Sequence, residues 1–327
     1  MGEFELLARI RERLPAPDPR IRLGSGDDAA IAVPGGATAT SVDALVDGVH
    51  FRRALASPAQ IGHKALATAL SDLAAMGAEA GEAYVTIGLP PDLDEDGCIE
   101  LLDGLLALAA ATGTTLAGGD VTRAGELFLA IAVVGHAPGP ESFVSRSGAL
   151  PGDALVLTGE LGGAAAGLLL LERPELGEAL PATTIERLRA RQLEPQPRLG
   201  AGRALAAAGA TAMIDLSDGL GGDAGHLAQR SAAELRIDAG VLPLADGVAE
   251  IAALAARERF ALAIAGGEDY ELLASIAPGH LDEAKQAVGE EEGIALTQIG
   301  EVDAGSGVEI RLPDGRLLEP GGFDQLA

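Results

Sequence analysis

Tryptophan is absent from this chain of 327 residues, and aromatic residues make up only 2% of it. The core must therefore be built from Ala, Leu, Val and Ile, a composition suited to helices packed on sheets. Cys98 is the sole cysteine, which excludes an intrachain disulfide and a zinc–thiolate cluster. Lysine occurs only at Lys64 and Lys285, and no Gly-Lys-Ser/Thr run exists, so a lysine-dependent phosphate loop is excluded. Positive charge is scarce overall: Lys plus Arg total 23 against 49 Asp plus Glu, a formal net charge of −26. Such a surface repels a phosphate backbone and argues against nucleic-acid binding. Long apolar runs are missing too. Residues 161–171 fall short of the ~20 uncharged residues of a membrane span. Residues 1–13 read as a charged amphipathic helix without the apolar stretch of a signal peptide. A soluble, cytoplasmic protein is expected.

What is present alternates between strand and helix patterns. The length predicts about two domains, each with its own core. Pro15, Pro17 and Pro19 mark residues 14–23 as a mobile segment before a Gly-Ser-Gly-Asp-Asp turn. Strand patterns at 29–33 and 38–42 precede a helix over 58–76, which Gly77 closes. A strand at 83–89, a helix over 93–111 and strands at 114–117 and 127–135 follow. The Pro-, Gly- and Ser-rich stretch 138–153 is the best boundary, giving domains over 1–140 and 141–327. The second half restarts with a strand at 154–158 and a glycine-rich turn into an Ala/Leu helix. Helices over 183–193 and 198–208, a strand at 211–215 and a helix from Asp218 come next. Strands near 270–275, 296–299 and 308–312 surround a helix over 281–288. The pattern predicts an α/β or α+β fold.

The acids are placed unusually. Aspartates sit on short Gly- or Ser-flanked turns in otherwise apolar segments: Asp27 and Asp28 after Gly26, Asp43 after Ser41 and Val42, Asp72 after Ser71, Asp120 after Gly118-Gly119, and Asp215 and Asp218 around Ser217. A carboxylate among apolar residues is costly to bury unless it is paired or coordinates metal. Hard divalent cations account for the whole set better than arginine alone. Capping by Ser217 or Asp218 explains one acid at the start of a helix, not two acids and a serine. Gly119 and Asp120 read as a strand end whose glycines let a ligand approach the backbone. Any one acid alone reads as structural; their joint occurrence points to metal.

Other groups are less specific. The turn 159–167 has amides suited to phosphate, but its glycines read first as close helix–sheet packing. His50 is as consistent with a core or surface role as with a site. Glu268 and Asp269 follow Gly266-Gly267 at the start of an apolar strand, where a tight turn is the plain alternative. Arg146 lies in a flexible small-residue loop and is a candidate phosphate clamp.

The ordered set of segments resembles the thiamine-monophosphate kinases, of the superfamily that includes aminoimidazole ribonucleotide synthetase, selenophosphate synthetase and the hydrogenase-maturation dehydratase. The matching stretches are Gly26-Asp-Asp-Ala, Asp43 through Val49-His50-Phe51, Ser71-Asp-Leu-Ala-Ala-Met-Gly77 and Gly118-Gly-Asp120. They continue with Arg146-Ser-Gly148, Ile214-Asp-Leu-Ser-Asp-Gly-Leu220, Gly266-Gly-Glu-Asp-Tyr-Glu-Leu272 and Gly322-Phe323-Asp324, and cover nearly the whole chain. The resemblance implies an N-terminal ATP- and metal-binding domain that dimerises through its sheet. A C-terminal α/β domain completes an active-site cleft. It also implies that Asp28, Ser41, Val42, Asp43, Asp72, Asp120, Asp215 and Asp218 hold several Mg²⁺ ions. Gly119, Asp120, Arg146 and Ser217 would contact ATP, while His50, Glu268 and Phe323 line the thiamine phosphate site. Val42 and Val121 stand where the family often has threonine, so at Val42 only the backbone carbonyl is left to ligate. No reactive cysteine lies near the N-terminus and none ends the chain, which separates it from the selenophosphate synthetases and the dehydratase.

The expected reaction is direct transfer of the ATP γ-phosphoryl to thiamine monophosphate. No general base is required, because a phosphate monoester with a second pKa near ~6 is already largely a dianion at neutral pH. Asp215 and Arg146 are the expected catalytic groups, acting through charge. An aminoimidazole ribonucleotide synthetase-like ligase and a non-catalytic nucleotide or thiamine-phosphate sensor are the alternatives.

Overall fold

The structure, a computed structural model, describes residues 3–16, 18–24 and 29–322. Its contacts divide the chain into two units. One comprises residues 1–73 and 78–140, the other residues 74–77 and 141–327.

The first unit runs α1 (Glu3–Arg13), β1 (Ile21–Leu23), β2 (Ile31–Ala32), β3 (Ala37–Val46), α2 (Pro58–Ala75), β4 (Glu79–Leu89), α3 (Glu95–Thr112), β5 (Thr115–Arg123) and β6 (Phe128–Ala137). Four of these strands form a sheet of order β3-β6-β4-β5, in which only β4 and β5 are parallel. One face carries Leu45, Ala83, Val85, Ile87, Leu129, Ile131 and Val133, all buried. The other carries Val42 and Ala44, exposed, with half-buried Ala130, Ala132 and Val134. Ordinary end signals bound α3. The Asp94 carboxylate accepts from the Gly97 amide at 2.9 Å, Glu95 and Asp96 occupy the positive end of the helix, and Gly113 ends it at φ 71°. Helices α2 and α3 cross in backbone contact. A β-carbon on Gly62 would lie 1.9 Å from the Leu101 carbonyl oxygen, and one on Gly104 would lie 1.9 Å from that of Ala59.

In the segment 14–23 expected to be mobile, residues 18–23 carry structure. The Ile21 amide bonds the Asp18 carbonyl, the Arg20 guanidinium bonds the Asp18 carboxylate, and β1 pairs with β2. Strand β5 is also longer than its apolar residues suggest. Its glycines weaken the pattern, but parallel pairing with β4 through Leu89↔Arg123 holds it extended.

The second unit contains β7 (Ala154–Thr158), α4 (Gly163–Glu172), α5 (Ala182–Leu193), α6 (Leu199–Ala207), β8 (Ala210–Asp215), α7 (Leu220–Ser231), β9 (Glu234–Asp238), α8 (Val248–Leu254), α9 (Ala261–Ala265), β10 (Leu272–Ile276), α10 (Leu281–Glu292), β11 (Leu296–Asp303), β12 (Gly307–Arg311) and β13 (Leu317–Leu318). Its seven-stranded sheet has the order β13-β12-β9-β11-β7-β10-β8, antiparallel except for β9 with β12. Strands β7 and β10 are buried at every position, which is why they read as mainly apolar runs, with Thr158 and Ser275 the polar exceptions. Leu220, Ala224 and Leu227 of α7 pack with Leu155, Leu157, Ile214 and Leu235 into the main core. A second cluster joins Leu169, Leu170, Leu188, Val248 and Ile251. With both sheets mainly antiparallel, the architecture is α+β.

Candidate functional site

Each unit gathers a set of oxygen-bearing side chains. In the first, the period-two alternation of β3 turns Ser41 and Asp43 towards the helices and Val42 away. The Ser41 hydroxyl donates to Asp72 Oδ2 on α2. Burial, and then the negative charge of Asp72, push the Asp43 carboxyl up to about 6. The Val42 side chain is 67% exposed on the opposite face, so only its backbone could join Ser41 and Asp43. Sequence reasoning passed over Lys64, which is 4% exposed and stands on α2, the helix that carries Asp72. Its signal was a lone cation in an apolar helix.

His50 is fixed by its own turn. Nδ1 accepts from the Val46 amide at 3.1 Å, so the ring proton sits on Nε2. Asp28 and Phe323 lie outside the described residues.

Asp120 does not join this group within one chain. It lies inside β5 rather than at a strand end, opposite Thr86, which in turn pairs with Ala130 and so with Ala44. It therefore shares the open face with Ala44, not the face of Asp43. Strands β3 and β5 are the two edges of the sheet, three strand spacings or about 14 Å apart. Gly119 has a packing reason: a β-carbon there would lie 2.1 Å from the Val85 carbonyl oxygen.

In the second unit, Asp215 ends β8 with 3% exposure, and Arg146 Nη2 stands 4.0 Å from its Oδ1. The Arg146 loop, expected to be flexible, is tied down. Ser231 Oγ on α7 accepts from the Gly148 and Ala149 amides and donates to the Arg146 carbonyl. Neither Ser217 nor Asp218 caps α7 as expected. Gly219, at φ 103°, holds the cap position without a side-chain bond, which leaves both oxygen-bearing side chains half-buried and uncommitted to the helix. The acid that sequence reading missed is Asp223, whose Oδ2 accepts from the Asp218 amide at 3.0 Å. Burial raises it to about 8, helped by the charges of Asp215 and Asp218 and opposed by the Asp218 amide and Arg146. Its signal was an acid in the first turn of a helix closely preceded by two others, Asp215 and Asp218.

The glycine-rich turn 159–167 proves structural. Asp269 accepts from the Gly162 and Ala164 amides at 2.6 and 3.1 Å, occupying the donors that a phosphate would need. Glu268 is half-buried and bonded to Gln192 of α5 at 2.6 Å.

Ser41, Asp43 and Asp72, and separately Asp215, Ser217, Asp218 and Asp223, are hard oxygen donors of the kind that Mg²⁺ prefers. Among the described residues no three of these acids already stand at metal-binding distances. A cation held there would draw further ligands from phosphate oxygens and water.

Residues 26–137 match the family "AIR synthase related protein, N-terminal domain", and residues 151–313 match "AIR synthase related protein, C-terminal domain". The thiamine-monophosphate kinase of Escherichia coli K12 is 39% identical over 307 residues, spanning 93% of this chain and 91% of the relative. The chain belongs to the thiamine-monophosphate kinase family. The crystal structure of the Stenotrophomonas maltophilia K279a member superposes with a TM-score of 0.83 at 36% identity, covering 97% of this chain and 98% of that one. A second, described as AaThiL complexed with AMPPCP and TMP, gives 0.77 at 27% identity over 98% and 96%.

Proposed function

We propose that this protein transfers the γ-phosphoryl group of ATP to the phosphate of thiamine monophosphate, giving thiamine diphosphate and ADP. One observation carries the reading: a member of this family carries two sets of buried or half-buried oxygen-bearing side chains, Ser41, Asp43 and Asp72 in one unit and Asp215, Ser217, Asp218 and Asp223 in the other. The acceptor oxygen is ionised before it reacts, so no side chain has to remove a proton. The difficulty is repulsion between two polyanions in acidic surroundings.

Ser41, Asp43, Asp72 and the Val42 carbonyl, and Asp215 and Asp218, would hold Mg²⁺ together with Asp28. Bound Mg²⁺ offsets the phosphate charge that the carboxylates alone would repel. Arg146 supplies a cationic clamp for the transferring group, in the role a lysine takes in other phosphoryl-transfer enzymes. Ser217 and the backbone at Gly119 and Asp120 contact the nucleotide. His50 presents Nε2–H to the thiamine phosphate, Glu268 faces the thiamine moiety and Phe323 stacks on its cationic ring. The enzyme is cytoplasmic and works as a dimer that covers the open face of the β3–β5 sheet.

That dimer also accounts for Asp120. An ion held by Asp43 is out of its reach within one chain, so the cluster is completed by the partner subunit's Asp120. Mixing Asp72→Asn with Asp120→Asn protein tests this. Shared sites restore about a quarter of wild-type activity, since about half the dimers mix and each has one intact site. Sites built from one chain restore none. The activity itself is tested by following ADP release. It must require both thiamine monophosphate and Mg²⁺, and release without the acceptor, or none at all, defeats the proposal.

A further inference from the structure

The peptide unit that joins Ser217 to Asp218 is bonded at both ends. Its oxygen, the Ser217 carbonyl, accepts from the Glu268 amide at 2.8 Å. Its hydrogen, on the Asp218 nitrogen, is donated to Asp223 Oδ2 at 3.0 Å. The residue before is pinned as well. The Leu216 amide bonds the Glu271 carbonyl at 2.8 Å, and the Leu216 carbonyl accepts from the Tyr270 amide at 3.0 Å. A planar peptide unit held at its oxygen and its hydrogen can no longer rotate, which restricts the side-chain directions on either side of it. Those side chains are Ser217 and Asp218. The backbone packs here without slack: a β-carbon on Gly267 would lie 2.7 Å from the Ser217 carbonyl oxygen.

A helix that needs only a cap takes Ser, Thr, Asp or Asn at the residue before its first turn. Helix α7 has Gly219 there, at φ 103°, with no side-chain cap. Asp223 instead reaches back from inside the first turn, past the cap position, to an amide that lies outside the helix. This is the backward half of a capping box, moved one residue outwards. The bond satisfies none of the amides that the start of α7 leaves open. It also buries a third acid, 3% exposed, where the charges of Asp215 and Asp218 oppose its own. That placement works against folding. What the bond does fix is the backbone between the two residues assigned to nucleotide and metal, and Asp223 supplies it with a side chain where Glu268 supplies only an amide.

We propose that Asp223 is a positioning residue: by holding the peptide between Ser217 and Asp218 it aims the hydroxyl of one and the carboxylate of the other at the nucleotide and its metal ion. The inference rests on the roles proposed above for Ser217 and Asp218.

The test compares Asp223→Ala, Asp223→Asn and Asp218→Asn by steady-state kinetics, calorimetric binding of a non-hydrolysable ATP analogue with Mg²⁺, and thermal unfolding. Asp223→Ala removes the acceptor. Lost alignment predicts that the analogue Kd and the Mg²⁺ concentration for half-maximal rate each rise about tenfold. The KM for thiamine monophosphate should change less than about twofold. Asp223→Asn keeps an oxygen for the Asp218 amide and should recover most of the loss. An asparagine variant as impaired as the alanine one overturns the positioning role, by showing that the charge of Asp223 acts directly. Wild-type analogue affinity and Mg²⁺ dependence in Asp223→Ala overturn it as well. So do equal rises in the KM of both substrates beside a lowered Tm, which mark a structural role. Wild-type analogue affinity and Mg²⁺ dependence in Asp218→Asn remove the reading on which the inference rests. Should Asp223→Ala fail to fold, Asp223→Leu, which keeps bulk without an acceptor, carries the same comparison.

Discussion

The Ser41 hydroxyl on β3 donates to the Asp72 carboxylate on α2 across 31 residues of chain. This contact brings Asp72 beside Asp43, and the charge of Asp72 contributes to the raised Asp43 pKa. The pair thus brings a like charge near a half-buried acid, an arrangement that a bound cation would relieve.

Asp72→Asn and Asp215→Asn should therefore separate folding from turnover. Each removes one negative charge from a crowded set while keeping the shape of the side chain. Turnover should fall at least about a hundredfold, the scale on which charge stabilisation of a transition state is lost. Unfolding temperature should hold or rise. Turnover within a few-fold of wild type in both variants would refute the metal assignment.

Asp269 predicts a pH dependence of stability. Burial raises it to about 6, against the pull of Arg191 and of the Gly162 and Ala164 amides. An aspartate in the unfolded chain titrates near about 4. Between these values the folded protein keeps a proton that the unfolded chain has released. This contribution is greatest at low pH and is lost as pH rises through the window, by at most about 3 kcal/mol. Asp269→Asn lacks it. Plotted from pH 4.5 to 7.5, the Tm of wild type minus that of the variant should decline and then level off above about 6. Parallel profiles would contradict the assignment.

Glu271 and Arg198 predict non-additivity. Glu271 is fully buried in a bidentate pair with Arg198, whose Nη1 also lies 3.7 Å from Glu292. Removing one partner leaves a buried charge uncompensated and costs about 3–5 kcal/mol. Arg191, 3.2 Å from Glu271, softens the loss of Arg198. Replacing both with leucine should cost clearly less than the sum, as measured by urea unfolding of the four proteins. Additive losses would show that the pair is not coupled.

Gly119→Ala should be damaging for a local reason. Its β-carbon would sit 2.1 Å from the Val85 carbonyl oxygen in the parallel β4–β5 pair. The strands must separate or shift register, a loss of about 1–3 kcal/mol. Activity should fall with it, because the neighbouring Asp120 rides on the same strand. A variant as stable as wild type would show that β5 is free to move.

Residue order by itself determined the two mainly aliphatic cores, most of the strands and helices, and the family, because these depend on local periodicity and on motifs read in sequence. It also showed that the aspartates lacked enough lysine partners, since that is a matter of counting. Tertiary structure decided what each acid is used for. Asp269 becomes a helix cap and Glu271 an ion-pair anchor, while Asp223 enters the set around Asp215 and Asp120 falls on the opposite sheet edge from Asp43. Strand order and register set those outcomes, and both arise from pairings between segments far apart in the chain. Acids that look alike in the sequence differ in surroundings once one meets an amide or a guanidinium and another is brought near a like charge.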